Sequence, residues 1–231
     1  MKNCTEWSLE FDTLYQNITS NQAPGLDEYD KSVFLTRAQE AVVVMLYNGT
    51  LSKSFEETEE ITAYLSSLVC QVVCPESEDE NLPHIVPDSK IYTLPHDMLF
   101  RTYESCVVNL GEKCSEAEAI VVPVTQDEFW RTKRNPFKGL NKRRVLRLAF
   151  SKASTDNGLV EQPYSELVSA YPITSYTVRY IKRPDPIILT DLAGGLSING
   201  KTDAMTCKLS EALHQTILTE AVKAAKAVWA S

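Results

Sequence analysis

Six cysteines and three histidines are the side chains of this chain best suited to chemistry, and their spacing decides which chemistry is open to them. Cys70 and Cys74, with His84 and His96 after them, follow in the order of a metal site. The gaps of three, nine and eleven residues match no zinc finger, which puts about twelve residues between its cysteine and histidine pairs and only a few between the histidines. Neither a metal nor an organic cofactor is expected. A thiolate nucleophile needs a base within reach, and Cys106 with His96 is the pairing that a strand-rich middle would allow. A buried thiol beside a surface imidazole is the ordinary alternative. No Gly-x-Ser-x-Gly elbow occurs, and Asp191-Leu-Ala-Gly-Gly-Leu196 spaces its glycines as a tight turn does, not as a phosphate-cradling loop. His214 falls in the first turn of the last predicted helix, where the dipole disfavours a cation, so it is expected to be neutral. The residues therefore predict a protein that is not an enzyme and takes no small-molecule substrate, with a Cys-dependent enzyme as the alternative.

Charge suggests a different kind of site. Arg131, Lys133, Arg134, Lys138, Lys142, Arg143, Arg144 and Arg147 fall together with no acidic residue between them, although the whole chain has 31 acidic against 23 basic side chains and a net charge of -8. Such a run is ordinarily a solvated face. Segregated in an acidic protein, it reads otherwise as a contact for DNA phosphates or for an acidic patch on a neighbouring protein. A cytosolic accessory protein that binds nucleic acid through residues 131–147 is thus a second alternative. Phe129, Trp130 and Phe137 are too sparse for a single-strand stacking platform and are expected to anchor a short helix. Glu56, Glu57, Glu59 and Glu60, with the acids of 76–80, supply opposite charge. Complementary surfaces on separate elements are what a head-to-tail ring needs, and pairing within the chain accounts for them equally well.

These residues need elements to hold them. With 231 residues, 43% of them apolar, the chain can bury an ordinary globular core. Met1-Lys-Asn-Cys-Thr-Glu-Trp7 lacks the basic-then-apolar start of a secretion signal, so a cytosol with reduced thiols is the expected setting. No run approaches the roughly 20 apolar residues that cross a bilayer, and no membrane partner is expected. A helix over Leu26–Asn48 is predicted from Asp27 as N-cap, the apolar spacing of Tyr29, Val33, Phe34, Ala38, Val42 and Met45, and Gly49 as its stop. Ser54-Phe-Glu-Glu57 opens a second helix with Thr58, Ile61, Leu65, Leu68 and Val69 inward. Strands rich in Val, Ile, Thr and Tyr follow over Lys90–Leu94, Leu99–Val108, Ala119–Val124, Val145–Phe150, Ser165–Ala170 and Ile173–Ile181. Thr125-Gln-Asp-Glu128 caps a short helix to about Arg134. Ser210–Trp229 is a helix with Leu213, Ile217, Ala221, Ala224, Ala225 and Val228 on one face. The fold class is α+β: an N-terminal helical hairpin, an antiparallel β-rich middle with a short helix, and a long C-terminal helix. Residues 1–75 form a helical part on which the helix of 208–231 packs, and 84–207 form the β-rich part.

Three stretches read as words of a known pattern: Tyr29-Asp-Lys-Ser-Val-Phe-Leu-Thr-Arg-Ala-Gln-Glu40, the tract Thr125–Leu148 around Asn135-Pro136-Phe137, and the block Tyr176–Ala225. The last contains Arg179-Tyr-Ile-Lys-Arg-Pro184, Pro186-Ile-Ile-Leu-Thr-Asp-Leu192 and Cys207-x-Leu-x-x-x-Leu-His214. In these words, spread over Leu26–Ala227, the chain resembles ring and head-to-tail connector proteins of crAss-like short-tailed bacteriophages. It departs from them after Asn135-Pro-Phe137, where the family pattern has a second proline and this chain has Gly139. The resemblance implies a virion protein assembled in the host cytoplasm, a homo-oligomeric ring of twelve copies. It implies portal and neighbouring tail or ring proteins as partners, and double-stranded DNA passing through the channel. Arg183, Pro184 and Pro186, with Asn135, Pro136 and Phe137, are expected to be structural, setting turns and carrying the chain between β elements, because each proline fixes φ and removes an amide donor.

Overall fold

The computed structural model describes residues 2–16, 25–49, 59–79, 82–87, 89–111, 116–154 and 160–229. They form two compact units, one from Met1–Leu68 with Arg183–Ser231 and one from Val69–Lys182. The class is α+β, with helices at the N-terminal side, a sheet in the middle and a C-terminal helix.

In the first unit, helix α1 (Cys4–Gln16) begins with a reciprocal cap. Asn3 Oδ1 accepts from the Glu6 amide at 2.8 Å, and Glu6 Oε2 accepts from the Asn3 amide at 2.8 Å, which satisfies two donors that a helix start leaves unpaired. Its Trp7, Phe11 and Tyr15, one turn apart, are buried. Helix α2 (Glu28–Tyr47) starts at Asp27, whose carboxylate accepts from the Asp30 amide at 2.8 Å, and stops at Gly49, φ +70°, where glycine avoids the left-handed penalty. Lys31 ties α1 to α2 by donating to Asp12 at 2.8 Å, Glu28 at 3.1 Å and Ser8 at 3.2 Å. Burial works against its charge, and the two carboxylates outweigh burial and hold its pKa above the ordinary value. Helix α3 (Glu59–Leu65) gives way to a 3-10 turn at Ser66–Leu68. The capping box at 54–57 lies outside the described residues, and Val69, expected on the helix, instead begins a strand. Val69-Cys-Gln-Val-Val73 is too rich in β-branched residues to prolong a helix. Helix α5 (His214–Trp229) packs on α2 and α1 through Ile217, Leu218, Ala221, Val222 and Ala225. Ala224 and Val228, expected on that face, are exposed because the buried stripe takes the row through 218 and 222 instead.

The second unit is a seven-stranded sheet of β1 (Val69–Val73), β2 (Lys90–Thr93), β3 (Met98–Asn109), β4 (Glu116–Pro123), β5 (Arg144–Ser154), β6 (Val160–Val168) and β7 (Ile173–Lys182). Their order is β1-β7-β3-β4-β5-β6-β2. The expectation of an antiparallel sheet needs one correction: β4 and β5 run parallel, Ile120 opposite Arg144. A parallel pair cannot be joined by a hairpin, and the required crossover is the segment 124–143, which carries helix α4 (Gln126–Arg134) and most of the basic tract. The sheet curls until the chain following β1 meets β2. Ser77 N–H donates to Ile91 O at 2.7 Å and Thr93 N–H to Pro75 O at 3.0 Å. Enclosed within are Cys74, Tyr92, Leu94, Cys106, Val108, Val121, Val145, Leu167, Tyr176 and Val178. A second, smaller core lies outside the curl, where Phe129 of α4 and Val86 cover Leu146, Leu148 and Val168.

Candidate interaction surface

Helix α4 buries Phe129 completely and leaves Trp130 half exposed, edge-on to it at a centroid distance of 5.3 Å. Lys133 lies over both rings, 5.7 Å from Phe129 and 5.3 Å from Trp130, a cation–π placement. The helix ends at Asn135, whose side-chain oxygen accepts from the Phe137 amide at 2.9 Å and the Lys138 amide at 3.2 Å. Gly139 N–H returns to Asn135 O at 2.7 Å. A Cβ at Gly139 would stand 2.7 Å from Asn135 O and 2.8 Å from Lys133 O, both backbone atoms, so this turn admits only glycine. Arg144 then donates to Phe137 O at 2.5 Å. The result is a braced loop with Phe137 at its tip, 87% exposed. Of the three aromatics expected to anchor the helix, only Phe129 does so.

The basic tract divides. Arg131, Arg134, Lys138, Lys142 and Arg143 are exposed; Lys133 and Arg144 are half-buried, occupied by the aromatic rings and by the loop carbonyl. Arg147 does not belong to this surface. It turns into the curl of the sheet, where its Nε is 2.9 Å from Glu104 Oε2 and its side chain is 12% exposed. Arg101 approaches the other oxygen of Glu104 at 3.7 Å, and Tyr176 OH donates to that same oxygen. Alternation explains it: Arg147 shares a strand face with buried Val145. Burial and the neighbouring Arg147 charge lower the Arg101 pKa, against the pull of Glu104. Of the acidic candidates, Glu59 is exposed, while Glu56, Glu57 and the side chain of Glu60 lie outside the described residues. Charge is nonetheless segregated by unit. The helical unit holds 16 acidic against 9 basic residues and the sheet unit 15 against 14.

The candidates for catalysis are placed elsewhere. Cys106 is enclosed in the sheet with its Sγ toward Ala119 O at 3.7 Å, and burial pushes its thiol up to about 11, whereas His96 is exposed. Cys70 and Cys74 are four residues apart on an extended chain, a span of roughly 13 Å, too far for one ion. Among the described residues no cluster of three metal-ligating side chains occurs. A Ser, His and Glu do converge: Ser89 Oγ lies 2.5 Å from Glu166 Oε1 and 3.0 Å from His84 Nδ1. In a relay the acid orients the imidazole; here both touch the serine. Glu166, fully buried, also accepts from the amides of Ile85 and Val86 at 3.0 Å, so this is a clip that holds the loop to β6. His214 is buried, with Nε2 3.3 Å from Leu209 O and its ring 4.9 Å from Trp7. Burial lowers its pKa and keeps it neutral. Gly194 and Gly195, at φ +71° and +80°, form a turn.

The proline words have their own geometry. Residues 185–189 lie extended along α2, and the helix offers them a ladder of polar side chains. Gln39 Nε2 donates to Asp185 O at 3.3 Å. Thr36 Oγ1 donates to Ile187 O at 3.2 Å and accepts from Ile187 N–H at 3.1 Å. Ser32 Oγ accepts from Leu189 N–H at 3.0 Å. On the other side Ile188 exchanges both backbone bonds with Met205 at 2.9 Å. Pro184 and Pro186 are buried in this segment and have no amide to satisfy. Arg183 is exposed, with Nε 3.7 Å from Glu40. Asp185 receives Lys201 and Lys208, the latter at 2.8 Å, and these bonds pull its pKa to about 2. Ser32, Thr36 and Gln39 escaped sequence reading, although buried polar residues at one-turn spacing on an otherwise apolar helix are the available signal.

Residues 1–230 match the phage tail ring protein 3/4 family. Two relatives come from Bacteroides phage crAss001. Its ring protein 3 is 40% identical over 227 residues, covering 95% of this chain and 93% of that protein. Its ring protein 4/5 is 35% identical over 235 residues, covering 98% and 93% respectively.

Proposed function

Since this chain belongs to the phage tail ring protein 3/4 family, a family of crAss-like phage ring proteins, we propose that it is a structural subunit of one ring in the head-to-tail connector, between portal and tail. In this reading it forms a closed homo-oligomer of twelve copies, meets the portal or other ring proteins above and below, and bounds the channel through which the genome leaves. The observation that carries it is family similarity along the whole chain. The side-chain arrangement is compatible with it: the cysteines described are unreactive by burial or unpaired with a base, and the Ser89 cluster is a structural clip. An acidic subunit suits a channel wall, because it repels passing DNA.

The exposed part of the basic tract, Arg131, Arg134, Lys138, Lys142 and Arg143, makes a heterologous contact with acid-rich surface on the next subunit or an adjoining ring, with Glu56, Glu57, Glu59 and Glu60 as candidate partners. Each exposed pair is worth about 0–1 kcal/mol, so the set acts through register and partner choice. Light scattering on the purified chain and copy counting in purified virions test the ring. A dodecamer mass, or twelve copies per particle, is the expected outcome. A strictly monomeric protein absent from virions, shifting DNA in a salt-dependent way, would favour the nucleic-acid-binding alternative instead.

A further inference from the structure

The basic side chains of the crossover sit at the rim of something apolar. On the outer face of the sheet, Val73, Thr177, Ser105, Ile120 and Arg144 stand directly opposite one another across β1, β7, β3, β4 and β5. Val73 is 61% and Ile120 69% exposed. Two short hydroxyl side chains between them keep the row flat, and Arg144 at its end holds the carbonyl of Phe137. One continuous strip thus leads from the sheet to a fully exposed phenylalanine on a loop that Asn135, Gly139 and Arg144 brace. A large aromatic held rigid in solvent is the usual form of a binding anchor.

We infer that this strip is the docking surface for a second copy of the chain, and that the element docked on it is the outer face of α1. The inference rests on the ring reading above and gives its lateral contact a location, with the acids of α1 in place of Glu56, Glu57, Glu59 and Glu60 opposite the basic rim. Among the described residues of the helical unit, three large apolar side chains are exposed: Leu9, Leu196 and Val228. Val228 follows Lys223 and Lys226 at the end of α5, and Leu196 lies in the turn that leads to Lys201. Val228 would bring Lys226 against Arg143 and Arg144, and Leu196, at 46%, is the least exposed of the three. Leu9 instead stands among Glu6, Glu10 and Asp12, of which Glu10 pairs with Lys2 and Asp12 with Lys31, so acids outnumber cations there, with exposed Thr5 and Thr13 one turn to either side. An apolar spot with an excess of acids meets an apolar strip that carries arginine at its β5 end and Glu118 beside Ile120. The two surfaces differ, and a contact between unlike surfaces is the kind that generates a ring when its rotation closes.

The test places the photocrosslinker p-benzoylphenylalanine at position 137 in one preparation and at 120 in another. Each is irradiated as the full chain, covalent dimers are recovered from a denaturing gel, and the joined peptides are mapped, while mass photometry of the same sample reports the assembly. Crosslinks from both positions to the peptide between Lys2 and Lys31 are expected. Leu9→Lys should weaken assembly roughly tenfold or more with the circular dichroism spectrum unchanged, as loss of one anchor does. Crosslinks to residues 69–182 of the second copy would mean a sheet-to-sheet contact and overturn the assignment. A ring mass without crosslinks would also overturn it while leaving the ring intact. A monomer mass without crosslinks would overturn both.

Discussion

Thr36→Val removes one hydroxyl and keeps the shape of the side chain, which isolates the ladder between α2 and the proline segment. Thr36 is buried and both donates to and accepts from Ile187, itself fully buried. Each net hydrogen bond is worth about 0.5–1.5 kcal/mol, and a buried donor left without a partner costs about 1–3 kcal/mol. No cavity term arises, since valine fills the same volume. The expected loss is about 2–4 kcal/mol, a large part of the roughly 5–15 kcal/mol that holds a domain folded. Urea unfolding followed at 222 nm is the assay, because all described helices except α4 belong to the helical unit. Thr36→Ser keeps the hydroxyl, loses a methyl and should cost less than valine. A loss below about 0.5 kcal/mol for valine, or serine as damaging as valine, would show that Ile187 finds other partners and that the ladder is incidental.

Pro186→Ala should destabilise by about 1–3 kcal/mol in the same assay, since it adds a buried amide with no acceptor prepared and frees the unfolded chain. Gly139→Ala should lower the melting temperature and impair assembly together, because its Cβ would meet two backbone oxygens inside 3 Å. Asp185 contributes stability that is whole above the free-carboxylate range, near pH 4, and is lost as pH falls toward about 2; Asp185→Asn should flatten the acid limb of a pH–stability curve. Reversing Lys142 and Arg143 to Glu should leave the monomer folded and slow assembly, most at low salt, whereas Arg147→Glu should unfold the sheet unit by setting two carboxylates together inside it. Disulfide-exchange titration at pH 8 should find Cys74, Cys106 and Cys207 silent until denaturant is added, since burial pushes each thiol up to about 11, and elemental analysis should find no stoichiometric zinc.

Local signals carried far along this chain. Asp27 and Gly49 delimit α2 as their cap chemistry requires, and the six predicted strands recur, although β6 begins five residues before its expected start and β5 runs four residues past its expected end. Non-local pairing set the limits. That β4 and β5 are parallel depends on where the crossover lies, which no local word states. Arg147 belongs to the run of cations by sequence adjacency alone, since the two-residue strand period separates it from Arg144 and joins it to Val145. Phenylalanine is ordinarily buried, and Phe137 is not. Its exposure follows from the Asn135 turn that lifts it off the helix. The role of Pro184 and Pro186 became physical only when the ladder of Ser32, Thr36 and Gln39 showed what a chain without alternate amides can lie against.

The curl of the sheet bears on how long an unassembled subunit can wait. In subunits not yet assembled, an open sheet edge would let copies zip together through their backbones with nothing to stop the growth. Here one segment serves β7 as β1 and then, past Cys74, turns to cover β2, so one of the two end strands is shielded and the other, β1, is five residues long. Short edges of this kind favour meetings through side chains. Such meetings stay reversible until the correct angle recurs, and it is a recurring angle, not a strand ladder, that counts subunits and ends at a definite number.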